Sequence, residues 1–124
     1  MDIFTALIET GKWSEEQAQL GIDFNFKCAY CYKDMVSCID NLSEWQADHI
    51  IPSSKGGDDS KNNLALCCRT CNFIKGTWNP SDVLKNSKKE KADLIVAARE
   101  YIFKKRKEMQ ANLDLYKKII SNYG

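Results

Sequence analysis

The sequence contains only one histidine, two prolines and no long apolar segment. A membrane-spanning helix needs about 18 consecutive apolar residues, so we expect no transmembrane segment. Residues 1–4 contain no basic stretch leading into an apolar one, which is how a secretory signal peptide begins. Together these absences predict a cytoplasmic protein that does not associate with a membrane.

A strong excess of one charge is also missing, because the formal net charge is only +1. This balance conceals two unlike regions. Residues 1–82 contain 7 Lys or Arg and 12 Asp or Glu, whereas residues 83–124 contain 11 and 5. The length of 124 residues and the 44% hydrophobic content predict one globular domain, residues 1–124, with an acidic body and a basic tail.

Local signals indicate two short helices in residues 1–23. Asp2 is placed to cap a helix over residues 3–10. Ser14 opens a capping box, since Gln17 stands three residues later, and this predicts a second helix that ends near Gly21.

Residues 24–78 show little helical periodicity. Apolar and turn-forming residues predict a strand over 45–51, a turn-rich loop, and a second strand over 64–66. A helix is expected from about residue 69 to Gly76. The order of strand, loop, strand and helix gives an α+β fold class.

Residues 79–124 form a basic helical extension. Asn79 and Pro80 mark a helix start, and the capping box beginning at Ser87 predicts a last helix from about residue 88 to Ile120. Its inner half should pack on the body, with the first helix as one candidate partner. Its outer half should project or meet a second chain.

Cysteine spacing indicates a metal site. Two Cys-x-x-Cys motifs supply four thiols, Cys28, Cys31, Cys68 and Cys71, which suit one tetrahedral structural Zn²⁺ per chain. Disulfides or unrelated buried cysteines are the alternatives, and a cytoplasmic location disfavours disulfides. Cys67 could replace Cys68 at the cost of a less regular spacing. We interpret Cys38 and Cys67 as small apolar residues.

The single histidine, His49, follows Asp48 at the end of the first predicted strand and precedes a Gly-Gly turn. An isolated histidine is more often structural than catalytic. This one lies between the two cysteine pairs and is followed by Asn63 and Asn72, which raises the prospect of a catalytic site.

The segments 48–57, 62–64 and 68–76 resemble the HNH endonuclease family in order and spacing. The resemblance covers about residues 24–78 and implies a ββα-metal core with two Cys-x-x-Cys knuckles. It also implies hydrolysis of DNA phosphodiester bonds by a metal-dependent endonuclease.

By this resemblance His49 is the general base, and Asp48 and Asn72 hold the catalytic divalent ion. Asn63 braces the loop that carries the histidine. The family often has histidine where this chain has Asn72, and the resulting pair of oxygen ligands favours Mg²⁺ or Mn²⁺. Because Asp48 and His49 are adjacent in a strand, the strand end must twist for both to serve one site.

Basic residues provide candidate DNA contacts, namely Lys75, Lys104, Lys105, Arg106 and Lys107. A solvated helix surface is the alternative explanation for each of them.

Two other functional hypotheses remain open. One is a non-catalytic, zinc-stabilised nucleic-acid-binding module, and the other is a nuclease subunit whose last helix binds a partner protein or a second copy.

Overall fold

The structure is a computed structural model that describes residues 1–85 and 89–124. It contains five α-helices and two strands in these residues: α1 (Ile3–Glu9), α2 (Glu15–Asp23), α3 (Ile39–Ser43), β1 (Trp45–His49), β2 (Leu64–Cys68), α4 (Arg69–Lys75) and α5 (Lys91–Tyr123). The α+β class is confirmed. None of the helices in the described part of the chain has the length and apolarity that crossing a membrane requires.

Both N-terminal helices are confirmed with their predicted caps. The Asp2 carboxylate accepts a hydrogen bond from Thr5 N at 2.7 Å, and the Ser14 hydroxyl accepts one from Gln17 N at 3.1 Å. Helix α2 continues past Gly21, its predicted end, to Asp23. A Cβ at Gly21 would collide with the Phe26 ring, so this glycine permits close packing rather than ending the helix.

The two strands form one antiparallel pair, with Trp45 opposite Cys68 and His49 opposite Leu64. Strand β1 ends at His49, earlier than predicted. Beyond it, Ile50 N donates to the Asn63 carbonyl, and Pro52 has no N–H to extend the ladder. Helix α4 follows β2 without an intervening loop, so the predicted β-β-α order is present.

Helix α3 was not predicted. It has five residues, and its N-terminal cap is the Cys38 sulfur, which lies 3.4 Å from Asn41 N. Cys38 is exposed and its sulfur caps a helix, which does not fit our interpretation of it as a small apolar residue. Cys67, interpreted in the same way, is fully buried in the core.

The C-terminal region differs in detail from the prediction. Asn79 and Pro80 open a short 3₁₀ turn, Pro80–Val83, rather than an α-helix. The predicted capping box falls partly outside the described residues, because it begins at Ser87, and α5 begins at Lys91. At 33 residues, α5 is about 50 Å long.

Helix α5 has a packed half and a projecting half. Its inner half packs on α4 and the 80–83 turn, and Trp78 stacks on Tyr101 with ring centroids 4.3 Å apart. The suggested partner α1 packs on α2 and has no buried residue. Every residue from 107 to 124 is exposed, so the outer half projects from the body. The buried residues of the inner half are Leu94, Ile95, Ala97, Ala98 and Ile102.

Candidate active site and cysteine cluster

The four cysteine sulfurs of the two Cys-x-x-Cys motifs lie close together in the structure. The Sγ atoms of Cys28, Cys31, Cys68 and Cys71 all lie within 4.8 Å of one another. The Cys31 and Cys68 sulfurs are 3.7 Å apart. A tetrahedron with zinc–sulfur bonds of about 2.3 Å has edges of about 3.8 Å, so the spacing fits a zinc ion.

Backbone N–H groups point at these sulfurs, as expected of thiolate ligands. Tyr30 N donates to Cys28 Sγ at 3.4 Å, and Cys71 N donates to Cys68 Sγ at 3.3 Å. Hydrogen bonds from the neighbouring thiols, that of Cys31 foremost, lower the pKa of Cys28. Hydrogen bonds with the other thiols, that of Cys28 foremost, raise the pKa of Cys71. The thiols compete for protons, and a bound cation would allow all of them to ionise.

Cys67 lies beside the cluster but does not belong to it. Its sulfur donates to the carbonyl oxygen of Cys68 at 3.1 Å. Its hydrogen bond with Cys28 and its burial raise its pKa, which keeps it a neutral thiol. The regular Cys68-x-x-Cys71 spacing is therefore the one that the fold uses.

Asp48 is a buried carboxylate near the end of β1. Its Oδ2 accepts a hydrogen bond of 2.6 Å from the Tyr30 hydroxyl, and its Oδ1 lies 3.0 Å from Asn72 Nδ2. Burial and then the Asp48 charge raise the pKa of Tyr30 well above its ordinary value, so the hydroxyl remains a donor. The structure thus brings Asp48 and Asn72 together across β1 and α4.

Lys75 forms a buried ion pair with Asp48 at this site. Its Nζ lies 3.3 Å from Asp48 Oδ2 and donates to the His49 carbonyl oxygen at 3.0 Å. Its side chain is completely buried. The ammonium would have to leave these partners in order to reach a DNA phosphate, so the predicted contact requires a rearrangement.

Asn63 joins the two ends of the loop that follows His49. Its side chain exchanges hydrogen bonds with the Ile51 backbone, accepting from N at 2.8 Å and donating to O at 2.9 Å. It also donates to the Asp58 carbonyl at 2.9 Å. Gly57 must remain small, because a Cβ there would collide with the Ile51 carbonyl and lie 2.7 Å from Asn63 Nδ2.

The His49 ring has a different neighbour from Asp48. Its Nε2 lies 2.7 Å from Asp59 Oδ1, where the His49 and Asp59 side chains are 34% and 93% exposed. Asp59 was not identified from the sequence. The only feature that could have indicated it is that it is an acidic residue in the loop that follows the histidine. In the described residues, the Asp48 carboxylate contacts Tyr30, Asn72 and Lys75, whereas the His49 ring contacts Asp59.

The basic residues of α5 do not form one uniform surface. Lys104 and Lys107 are exposed, and Lys107 lies over the Phe103 ring at 4.7 Å. Lys105 pairs with Glu108 at 3.5 Å. Arg106 turns inward, and its guanidinium donates to Cys71 Sγ at 3.2 Å. No sequence signal points to this last contact.

Comparison with known families supports the resemblance seen in the sequence. The family described as HNH endonuclease matches residues 28–77, which include both cysteine pairs, the two strands and α4. The match confirms the resemblance to this family over residues 28–77. No curated protein and no solved structure matches the chain.

Proposed function

We propose that this protein is a metal-dependent endonuclease that hydrolyses DNA phosphodiester bonds. The observation that carries the proposal is the meeting of Asp48 and Asn72. These side chains are 24 residues apart in sequence but 3.0 Å apart in space, inside the matched HNH segment. Asp48 is buried and Asn72 half-buried, so the pair offers a carboxylate and an amide from two different elements to one cation.

The residues present fit a small hard cation. Adjacent oxygen ligands of an octahedral Mg²⁺ lie about 3 Å apart, given bonds of about 2.1 Å. Rotating the Asn72 amide by half a turn would put its oxygen at the present position of Nδ2, at this distance from Asp48 Oδ1. Mg²⁺ or Mn²⁺ would supply Lewis acidity at the scissile phosphate and stabilise the departing 3′ oxygen. Lys75 would keep its bond to the His49 carbonyl while its longer contact to Asp48 loosens.

His49 is proposed as the general base that removes a proton from the attacking water. Asp59 lies at hydrogen-bond distance from Nε2 and favours the tautomer with the proton there. Nδ1 then retains a lone pair to accept the proton from water. Asn63 supports this arrangement by holding together the ends of the loop that carries Asp59.

We also propose one structural Zn²⁺ per chain, bound by the four clustered cysteines, and a cytoplasmic location. So small a core would gain much of its folding free energy from the metal. Elemental analysis should find one zinc per chain in the wild type and in Cys67→Ser. Cys68→Ser should lose it, and the opposite result for these two variants would contradict the ligand assignment.

Plasmid cleavage tests the nuclease assignment. With Mg²⁺ or Mn²⁺ added, the wild type should cut and His49→Ala should be about 10²–10⁴-fold slower, which is the usual effect of losing a general base. Equal zinc content and equal thermal stability would show that His49→Ala is folded. Cleavage at the wild-type rate by this variant would remove His49 from the mechanism.

One feature favours the alternative in which the domain is a subunit of a larger complex. The projecting half of α5 leaves large apolar side chains more than two-fifths exposed, among them Leu113, Tyr116, Ile119 and Ile120. Such a surface suits a partner protein or a second copy of the chain. Solution mass that rises with concentration and falls in Leu113→Asp would support self-association.

A further inference from the structure

Helix α5 places one arginine on each cysteine knuckle. Arg99 donates twice to the Ala29 carbonyl inside the first knuckle, at 2.9 and 3.2 Å, and covers the Tyr32 ring at 4.8 Å. Arg106 donates to Cys71 Sγ at 3.2 Å and lies 3.9 Å from Cys68 Sγ in the second knuckle. Seven residues separate the two arginines, so both project from one face of the helix.

We propose that Arg106 is part of the metal site, where it balances the charge of the zinc-bound thiolates and fastens α5 to the metal core. The proposal rests on the structural zinc proposed above. It gives part of the basic run in α5 a role other than binding DNA.

The charge of the site explains why a cation should be there. A zinc ion with four thiolates is a dianion, and Cys28, Cys68 and Cys71 are buried. A buried negative charge needs a partner nearby, and a guanidinium is well suited because it is weakly hydrated and presents several donors in one plane. Contacts of this kind around the ligands commonly tune the affinity for the metal.

The burial of Arg106 supports the same conclusion. Its Nε is buried and has no hydrogen-bond partner among the residues that the structure describes. An N–H in that state is unfavourable, so a free guanidinium would be expected to turn toward water. Attraction to the sulfurs accounts for its inward position. Its neighbour Lys107, which is exposed, has no such contact in the described part of the chain.

The test compares zinc affinity in two variants that lose the same charge, Arg106→Gln and Lys107→Gln. Affinity is measured on the full chain by competition with a chromophoric chelator, which requires no nuclease activity. Arg106→Gln should bind zinc about 10–100-fold more weakly than the wild type. Lys107→Gln should match the wild type, since its side chain does not reach the sulfurs.

Arg106→Lys provides a second comparison if Arg106→Gln does not fold. It retains the charge and much of the stem but lacks the guanidinium whose Nη2 lies near both the Cys71 and Cys68 sulfurs, so it should bind zinc with reduced affinity. Wild-type affinity in Arg106→Gln, or in Arg106→Lys where only that variant folds, would overturn the proposal. A wild-type protein that binds no zinc would instead contradict the structural zinc itself.

Discussion

Lys75 places its ammonium 3.3 Å from the Asp48 carboxylate, and neither side chain is more than 5% exposed. The two residues come from α4 and β1, so this ion pair connects the helix to the strand at the proposed catalytic site. The same ammonium holds the His49 carbonyl oxygen at 3.0 Å. One buried cation therefore holds both the side chain of Asp48 and the backbone carbonyl of His49.

Breaking this pair from one side should destabilise the protein strongly. Lys75→Met leaves the Asp48 carboxylate buried without its cation, and we expect a loss of about 3–5 kcal/mol in the free energy of unfolding. Urea denaturation of the zinc-loaded protein measures it. The double variant Asp48→Asn/Lys75→Met should lose less than the two single variants together, because neither charge is then left alone. Strictly additive losses would show that the two side chains do not interact.

The features that the sequence predicted best are those with local signals. Strand β2 and helix α4 followed from apolar residues and a glycine stop, and the clustering of the cysteines followed from their spacing. Helix α3 escaped prediction because it is short and a cysteine, an unusual capping residue, begins it.

The contacts of the site could not be predicted, since they join residues far apart in sequence. Lys75 is 27 residues from Asp48, and Arg106 is 35 residues from Cys71. Both lysine and arginine are usually exposed, so the sequence suggested either a DNA contact or a solvated surface position for each. Only the packing of α4 and α5 on the core shows where their charges lie.

Asp59→Asn should slow cleavage by about 10-fold while leaving the KM for DNA nearly unchanged. The carboxylate is exposed, so its hydrogen bond to His49 orients the ring with only modest strength. Single-turnover rates and KM with Mg²⁺ measure the effect. Asp58→Asn is the neighbouring control, because the Asp58 carboxylate caps Ser60 rather than contacting His49. A similar fall in rate in both variants would mean that only the loop, and not the contact to His49, matters.

Asn63→Ala should destabilise the protein by about 2–4 kcal/mol, because three hydrogen bonds to the backbone of Ile51 and Asp58 are removed at once. It should also slow cleavage, since the loop that carries Asp59 is released at both ends. Asn62→Ala is the matched control. Asn62 is exposed, so we expect its replacement to change the free energy of unfolding by no more than about 0.5 kcal/mol. Thermal unfolding with zinc present compares the two, and equal stabilities would exclude Asn63 as the brace of the loop.

The remaining prediction concerns DNA binding by the three lysines of the basic run, Lys104, Lys105 and Lys107. Replacing all three with Ala should weaken binding to every DNA sequence alike, because interactions with phosphates carry no sequence information. The slope of log affinity against log salt should become shallower by up to about 0.9 for each phosphate that a lysine no longer neutralises. Zinc content should stay at the wild-type level, because these side chains do not reach the cysteine sulfurs in the way that Arg106 does. The measurement is fluorescence anisotropy of labelled duplexes over a range of salt concentrations. An unchanged slope would show that this part of α5 is a solvated surface rather than a DNA-contacting arm.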